Sequence, residues 1–393
     1  MNQVDVIVVG AGPSGAVAAT VLARAGVRVR VLDRATFPRD KLCGDTVNPG
    51  TLAILRRLRM ADGLETAGLR IDGMLVTGAG GQSIDGRYPN GLHGLSCARR
   101  DLDWLLLQDA IGAGVVFDEG VAVRGAVVGS RDGSPAVEGV RLGTNGSTHT
   151  LSAPVVIAAD GRRSMLAFSL GLARHPVAPA RWAIGVYFPS PAASNGVGEM
   201  HIRPGGYIGV APLPGGVTNV CLVQPSQPGD RAFGNPAALL KTVLAGEPVL
   251  RTRFEGLDPV GRPVVLGPLA VDATGRAIDG LILAGDAAGF VDPMTGDGLR
   301  FAVAGGELAA GAALQALSHG WTGVHERLVR ARWREFGAKW RFNRALRALV
   351  SSPFALRGAT AVARVAPGVV RTLIVRAGDC SRTPEQSALS ARV

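Results

Sequence analysis

Residues Val4 to Asp33 constrain the fold more than any other stretch. Val4 to Val9 is a β-branched apolar run with one acid, followed by Gly10-Ala11-Gly12-Pro13-Ser14-Gly15 and the helix-forming Ala16 to Ala25. A strand, a glycine-rich turn and a helix in that order predict the first βα unit of an open, doubly wound sheet, with a diphosphate at the helix N-terminus. Gly10 permits the tight turn, Gly12 the approach of backbone to the phosphates, and Gly15 the packing of helix on strand, while Pro13 and Ser14 start a helix whose first N–H groups are unpaired. Val27 to Leu32 reads as a second strand ending at Asp33, near the spacing of about 20 residues expected for an acid that holds ribose hydroxyls. The fingerprint predicts a bound dinucleotide and does not choose between NAD and FAD.

A second segment makes that choice. Leu281-Ile282-Leu283-Ala284 reads as a short buried strand and leads into Gly285-Asp286-Ala287-Ala288-Gly289-Phe290-Val291-Asp292-Pro293-Met294-Thr295-Gly296-Asp297-Gly298. At the carboxyl end of a strand an acid flanked by glycines lets the backbone approach a ligand, and Asp286 can accept hydrogen bonds from ribityl hydroxyls. Gly296 and Gly298 open a helix beginning near Leu299, whose positive N-terminus suits the electron-rich N1–C2=O edge of a flavin. FAD is therefore the expected cofactor.

Asp33-Arg34, Phe37-Pro38-Arg39-Asp40-Lys41-Leu42-Cys43-Gly44, Ala159-Asp160-Gly161-Arg162-Arg163-Ser164 and the Gly285 segment together resemble the geranylgeranyl-reductase branch of the p-hydroxybenzoate-hydroxylase-type flavoproteins, over about residues 1 to 330. The resemblance implies a two-domain α/β fold, with a Rossmann-like FAD-binding domain of glutathione-reductase type and an antiparallel β-sheet substrate domain. It implies that Gly10, Gly12, Gly15, Asp33 and Arg34 hold the adenosine and pyrophosphate, that Arg99 or Arg100 contacts FAD, and that Asp286 binds the ribityl chain. Pro293 would lie near flavin N5, Gly296, Gly298 and Leu299 near the pyrimidine edge, Cys43-Gly44 beside the ring, and Asp160 on the flavin or nucleotide side of the cofactor. Plainer readings stand next to these. Arg99 and Arg100 open an evident helix and can be solvated; Asp160 can be a helix cap; Cys43, one of four scattered cysteines, can be a small buried hydrophobe, with no disulfide framework or metal site implied.

The pattern along the chain assigns residues 1–70, 97–180 and 272–326 to the FAD-binding domain and 71–96 and 181–271 to the substrate domain, where short β-like runs are spaced by Gly and Pro. Residues 327–393 form a basic C-terminal helical segment. Its stretch 327–382 holds twelve Arg and one Lys against Glu335 and Asp379, which accounts for the whole net charge of +11. Val329, Trp333, Phe336 and Trp340 recur there at helical spacing between Arg330, Arg334 and Arg341. Either this aromatic stripe packs on the body with the arginines solvated, or the segment is a basic amphipathic surface for an anionic membrane or an acidic carrier protein. No nucleic-acid module accompanies the charge. Without a leader or an uncharged apolar stretch of about 18 residues, a cytoplasmic setting is expected, with peripheral membrane contact as the variant.

Polar catalytic candidates in the substrate domain are few: His201, Arg203, Tyr207, Trp182 and Tyr187. Tyr207 and His201 join Pro293 as candidate catalytic residues, although His201 on an alternating strand also reads as structural. In flavin chemistry the cofactor carries the redox step and the protein orients and excludes water, so this scarcity does not argue against an enzyme. Where the resembled branch carries Tyr-x-Trp-x-Phe-Pro, this chain has Tyr207-Ile208-Gly209-Val210-Ala211-Pro212, with two large side chains gone. The leading expectation is accordingly an NAD(P)H-dependent monooxygenase of a bulky, apolar, polyketide-like natural product. The alternative is a C=C reductase or dehydrogenase of a lipid-like substrate, and a third is an FAD-organised pocket without redox chemistry. Halogenation is not expected, because no Lys lies between residues 42 and 240 and no Trp-x-Trp-x-Ile-Pro motif occurs.

Overall fold

The computed structural model describes residues 4–380 apart from 80, 145–146, 178–180, 191–194, 227–230 and 292. The N-terminal apolar run forms the strand Val6–Val9, buried throughout, at the centre of a five-stranded parallel sheet. Val6 pairs with Val155 of Val155–Ala158 on one side and with Val29 of Val29–Leu32 on the other. Leu281–Leu283 and Val116–Asp118 complete the two edges. A parallel strand buried on both faces must be apolar at every position, and here both faces are covered. Val6 and Val8 face a layer of helices that includes Pro13–Arg24, Arg99–Gly112 and Gly298–His319. Ile7 and Val9 face the antiparallel sheet Ala122–Arg131, Ser134–Thr144 and Ser147–Ser152, through Ala126, Val137 and Val140.

Close backbone approach fixes how these layers meet. Gly10 has φ +101°, and a Cβ there would lie 2.5 Å from Ala159 O. A Cβ on Gly15 would lie 1.8 Å from Gly10 O, so only glycine lets the first helix return onto its own strand. Gly298–His319 is long and apolar enough by composition to cross a membrane. In this fold it is a core helix, packed along Pro13–Arg24.

The second sheet has seven strands in the order Val260–Leu266, Arg181–Pro189, Val217–Pro225, Gly206–Leu213, Val197–Arg203, Gly73–Thr77, Ser83–Arg87. All neighbours are antiparallel except Val197–Arg203 with Gly73–Thr77, so segments distant in sequence share one sheet. Strand alternation divides its two faces. Ile208, Val220 and Leu222 pack under the helix Pro236–Ala245 through Leu240 and Leu244, while Tyr207, Gly209, Ala211, Asn219, Cys221 and Val223 line a cavity on the opposite face.

The C-terminal segment folds as Val324–Ser351, Pro353–Val365 and Pro367–Ala377, and residues 381–393 of the expected segment lie outside the described residues. Its aromatic stripe is split: Phe336 is buried with its ring 5.1 Å from Phe301, whereas Val329 and Trp333 are 62% and 55% exposed. Val324, Leu328, Phe336 and Val350 are buried in the core of the body, and a polar cluster joins them. Asp297, fully buried at the start of Gly298–His319, takes Lys339 Nζ at 3.0 Å, Thr295 Oγ1 at 2.7 Å, and Asn48 Nδ2 and Asn343 Nδ2 at 3.3 Å each. The same Lys339 ammonium donates to Arg376 O and Ala377 O, both at 2.8 Å. Removing one member of a buried ion pair strands the other, so Asp297→Ala is expected to lower stability by about 3–5 kcal/mol. Urea unfolding measures this loss, and limited proteolysis should show residues 353–377 cleaved first; unchanged values would deny the pair its role.

Candidate functional site

One cavity of about 340 Å³ lies between the carboxyl edge of the parallel sheet, the seven-stranded sheet and the C-terminal helices. One end is built from turns and charge: Gly12, Pro13, Ser14, Gly285 and Asp286, with Lys41, Arg99 and Arg162. The other end is apolar, formed by Met200, Ile202 and Leu266 of the sheet and by Phe342, Leu346 and Leu373 from the C-terminal helices.

The polar end has the properties of a dinucleotide cradle. The helix Pro13–Arg24 has no side-chain cap, and Ser14 Oγ is buried without a partner among the described residues. Burial and then Arg99 hold the Lys41 ammonium below its usual pKa. Burial and then Arg163 lower the Arg162 guanidinium to about 10. Desolvated cations beside free N–H groups suit a diphosphate. A Cβ on Gly285 would lie 3.0 Å from Ser14 Cβ, so the fingerprint turn and the late segment meet despite their distance in sequence. Asp33 accepts from Ala11 N at 2.8 Å and from Ala35 N at 2.9 Å, leaving lone pairs for ribose hydroxyls. These residues fit FAD: Gly12, Pro13, Ser14, Lys41 and Arg162 would hold the diphosphate, Asp33 the ribose, and Asp286 the ribityl chain.

Cys43, Gly44, Gly296, Gly298 and Leu299 also line this cavity. Gly10 and Gly15 do not; they shape the turn behind it. Arg34 is exposed beyond Asp33. Pro293 opens the short turn Pro293–Thr295, and Met294 and Thr295 line the cavity; the side chain of Pro293, like all of Asp292, lies outside the described residues. Arg99 is neither solvated nor uncommitted: it is buried and holds Asp103 with two bonds of 2.7 Å. Arg100 faces outward, 3.9 Å from Asp40. Ser164 caps Met165–Ser169, accepting from Ala167 N, and Asp160 Oδ2 supports it by accepting from Met165 N at 2.9 Å, while its Oδ1 is buried with no partner among the described residues.

Of the candidate catalytic residues, Tyr207 lines the apolar end. His201 does not belong with it. Its ring is fully buried inside the sheet, with Thr77 Oγ1 2.8 Å from Nδ1 and Glu199 Oε2 3.1 Å from Nε2, and Arg253 Nη1 closes the chain 2.6 Å from Glu199 Oε1. The expectation of a catalytic His201 is corrected to a structural one, because both ring nitrogens are committed to Thr77 and Glu199 and the side chain does not line the cavity. Arg203 is bound to Glu247 at 2.6 Å and Trp182 packs on Phe233 with rings 5.8 Å apart. Among the described residues no cluster of His, Cys, Asp and Glu is arranged to hold a metal.

Two features were not foreseen. Asp45, at φ +52°, is fully buried behind the cavity wall and accepts from Tyr187 OH at 3.0 Å, Arg99 N at 3.2 Å and Asn219 Nδ2. Burial raises its carboxyl to about 6 against these hydrogen bonds. Asn219 lines the cavity, and its Oδ1 is buried without a partner among the described residues, a free acceptor for a ligand O–H or N–H. The second feature is the C-terminal wall itself. An acid after a glycine was a visible signal for Asp45; nothing local marked Phe342 or Leu373.

The profile of the FAD binding domain family matches residues 3–227. The chain is 34% identical over 328 residues to a menaquinone reductase of Mycolicibacterium smegmatis, covering 79% of this chain and 76% of that one. It is 32% identical over 359 residues to digeranylgeranylglycerophospholipid reductase 2 of Methanopyrus kandleri, covering 86% and 85%. Among solved structures, the flavin-dependent brominase Bmp2 superposes with a TM-score of 0.81 at 19% identity over 99% of this chain and 98% of that chain, a likeness of fold alone.

Asp45 supplies a pH test. Its folded-state pKa of about 6 lies above the ordinary 3.8, so the folded chain binds the extra proton between those values and stability falls as pH rises through the window. The contribution is complete below about pH 4 and lost above about pH 6, on the order of 3 kcal/mol in all. Urea unfolding of Asp45→Asn beside the parent should show the variant gaining relative stability by that order between pH 4 and pH 7. Parallel curves would remove the buried proton.

Proposed function

The chain belongs to the FAD-binding-domain family, in its geranylgeranyl-reductase branch, and is an FAD-dependent oxidoreductase; from that premise we infer that it reduces a carbon–carbon double bond of a bulky, lipid-like substrate. The observation that carries the reading is the continuity of a cationic cofactor cradle with an apolar chamber in one cavity. The names of the relatives favour reduction over the monooxygenation that the altered Tyr207 strand first suggested.

Reduction adds two electrons and two protons across the double bond. When bound and reduced, the flavin would supply the electrons and return to its oxidised form, with NAD(P)H as the proposed donor that reduces it again. The protein's own part is to bind, orient and keep the chamber dry. Met200, Ile202, Tyr207, Leu266 and Phe342 grip an apolar chain along its length. Asn219 Oδ1 accepts from a polar head, and Asp45 fixes Asn219 and Tyr187 from behind the wall that carries Cys43. Gly209 faces the chamber with Cys221 O 3.9 Å from an added Cβ, so width here is a matter of side-chain size and not of backbone position.

Under anaerobic conditions, FAD-loaded protein reduced with NADPH, NADH or dithionite is expected to return a polyprenyl naphthoquinone or geranylgeranyl lipid with two added hydrogens, read by mass spectrometry. A product that forms only with oxygen and gains an oxygen atom would replace this reading with monooxygenation. Gly209→Trp should fold and bind flavin normally but lower kcat/KM for the bulkiest accepted substrate by about tenfold or more, by occupying the chamber. An unchanged value would mean the substrate does not lie along this strand.

A further inference from the structure

The helix Pro353–Val365 and the one that follows it, Pro367–Ala377, leave an apolar surface uncovered. On the first, Phe354, Gly358, Ala361, Val362 and Val365 recur at helical spacing and all are exposed, Phe354 at 82% and Val365 at 87%. On the second, Val369 and Leu373 are one turn apart and 49% and 37% exposed. Side chains this apolar are costly to leave in water, and isolated exposure does not explain four of them, with Gly358 between, on one face. The same end of the chain carries charge mostly of one sign: Arg357 on the first helix, Arg371 and Arg376 on the second, and Arg341 and Arg344 on the helix before them are all exposed. An apolar face with arginines at the same end of the chain fits the boundary between anionic headgroups and acyl chains.

The inner side of the same helix pair supplies the second observation. Val370, Ile374 and Ala377 wall the cavity, and Leu373 belongs both to that wall and to the exposed row. The apolar surface and the apolar chamber thus meet at one side chain.

We propose that residues 353–377 dock this chain on an anionic bilayer, with the apolar row lying in the interface and the cavity opening toward it at Leu373. Docking goes beyond the reading of the reaction and does not depend on it; only the passage of a lipid substrate past Leu373 rests on that reading. The FAD-loaded full chain mixed with vesicles of phosphatidylglycerol and phosphatidylcholine, then floated on a density gradient, is expected to rise with the vesicles and to stay behind with phosphatidylcholine alone. Paired Phe354→Glu and Val365→Glu should weaken flotation by about tenfold or more, and Arg357→Glu should weaken it less and mainly at low salt. Flavin absorbance and thermal unfolding of each variant show that it is folded. Failure to float, equal flotation with neutral lipid, flotation unaffected by the paired variant, or a dimer in solution that the paired variant dissolves would each overturn the proposal. Loss of turnover with normal flotation would instead count against the reaction, which keeps the two readings separate.

Discussion

A single buried carboxylate joins the two halves of this molecule. Asp297 sits where the helix Gly298–His319 begins, beside the turn that carries Met294, Thr295 and Gly296 into the cavity, and its partners come from residues 48, 295, 339 and 343. Taking Asp297 and Lys339 out of water is expensive, and the arrangement is tolerable because nearly every donor of the ammonium and both carboxylate oxygens are used. Its consequence is geometric. The cofactor end cannot be set without also setting the C-terminal helices that close the apolar end. Arg300, bound to Asp379 at 2.9 Å and to Glu335, repeats the connection one turn further along.

The cavity then divides its labour by polarity. Cations held partly desolvated, and a helix N-terminus without a cap, are unfavourable until an anion arrives, so binding energy for the diphosphate is built into the protein beforehand. The rest of the lining is largely apolar, and Gly209 and Ala211 leave width where bulkier side chains would narrow it. Asp45 stands at the boundary, a strained residue with a raised affinity for a proton, and such groups gather at functional sites.

What could be read from the sequence followed local rules. The strand at Val6–Val9, the turn at Gly10, the acid at Asp33 and the Gly285 element all carry their meaning within a few residues, and all took their expected places around the parallel sheet. Strand boundaries shifted by two residues, to Val6 and Val29, because the ladder begins only where partners exist. The missing parts depend on contacts across long separations. Asn219 reaches Asp45 over 174 positions, and Asn48 reaches Asp297 over 249. In the C-terminal segment the arginine excess drew attention to an outer face, while the inner face of Phe342, Leu346 and Ile374 has no polar signature. His201 misled because a histidine on an alternating strand carries no mark of which face it occupies.

The central claim is that FAD and an apolar substrate share one cavity whose far wall is C-terminal. A diazirine-bearing isoprenoid, irradiated with the FAD-loaded chain and mapped by peptide mass spectrometry, tests it most directly. The account predicts labels on peptides containing Phe342–Leu346 and Val370–Ile374 together with the Tyr207–Ala211 strand, diminished by an unlabelled lipid competitor. Labels confined to other surfaces, or insensitive to the competitor, would contradict it.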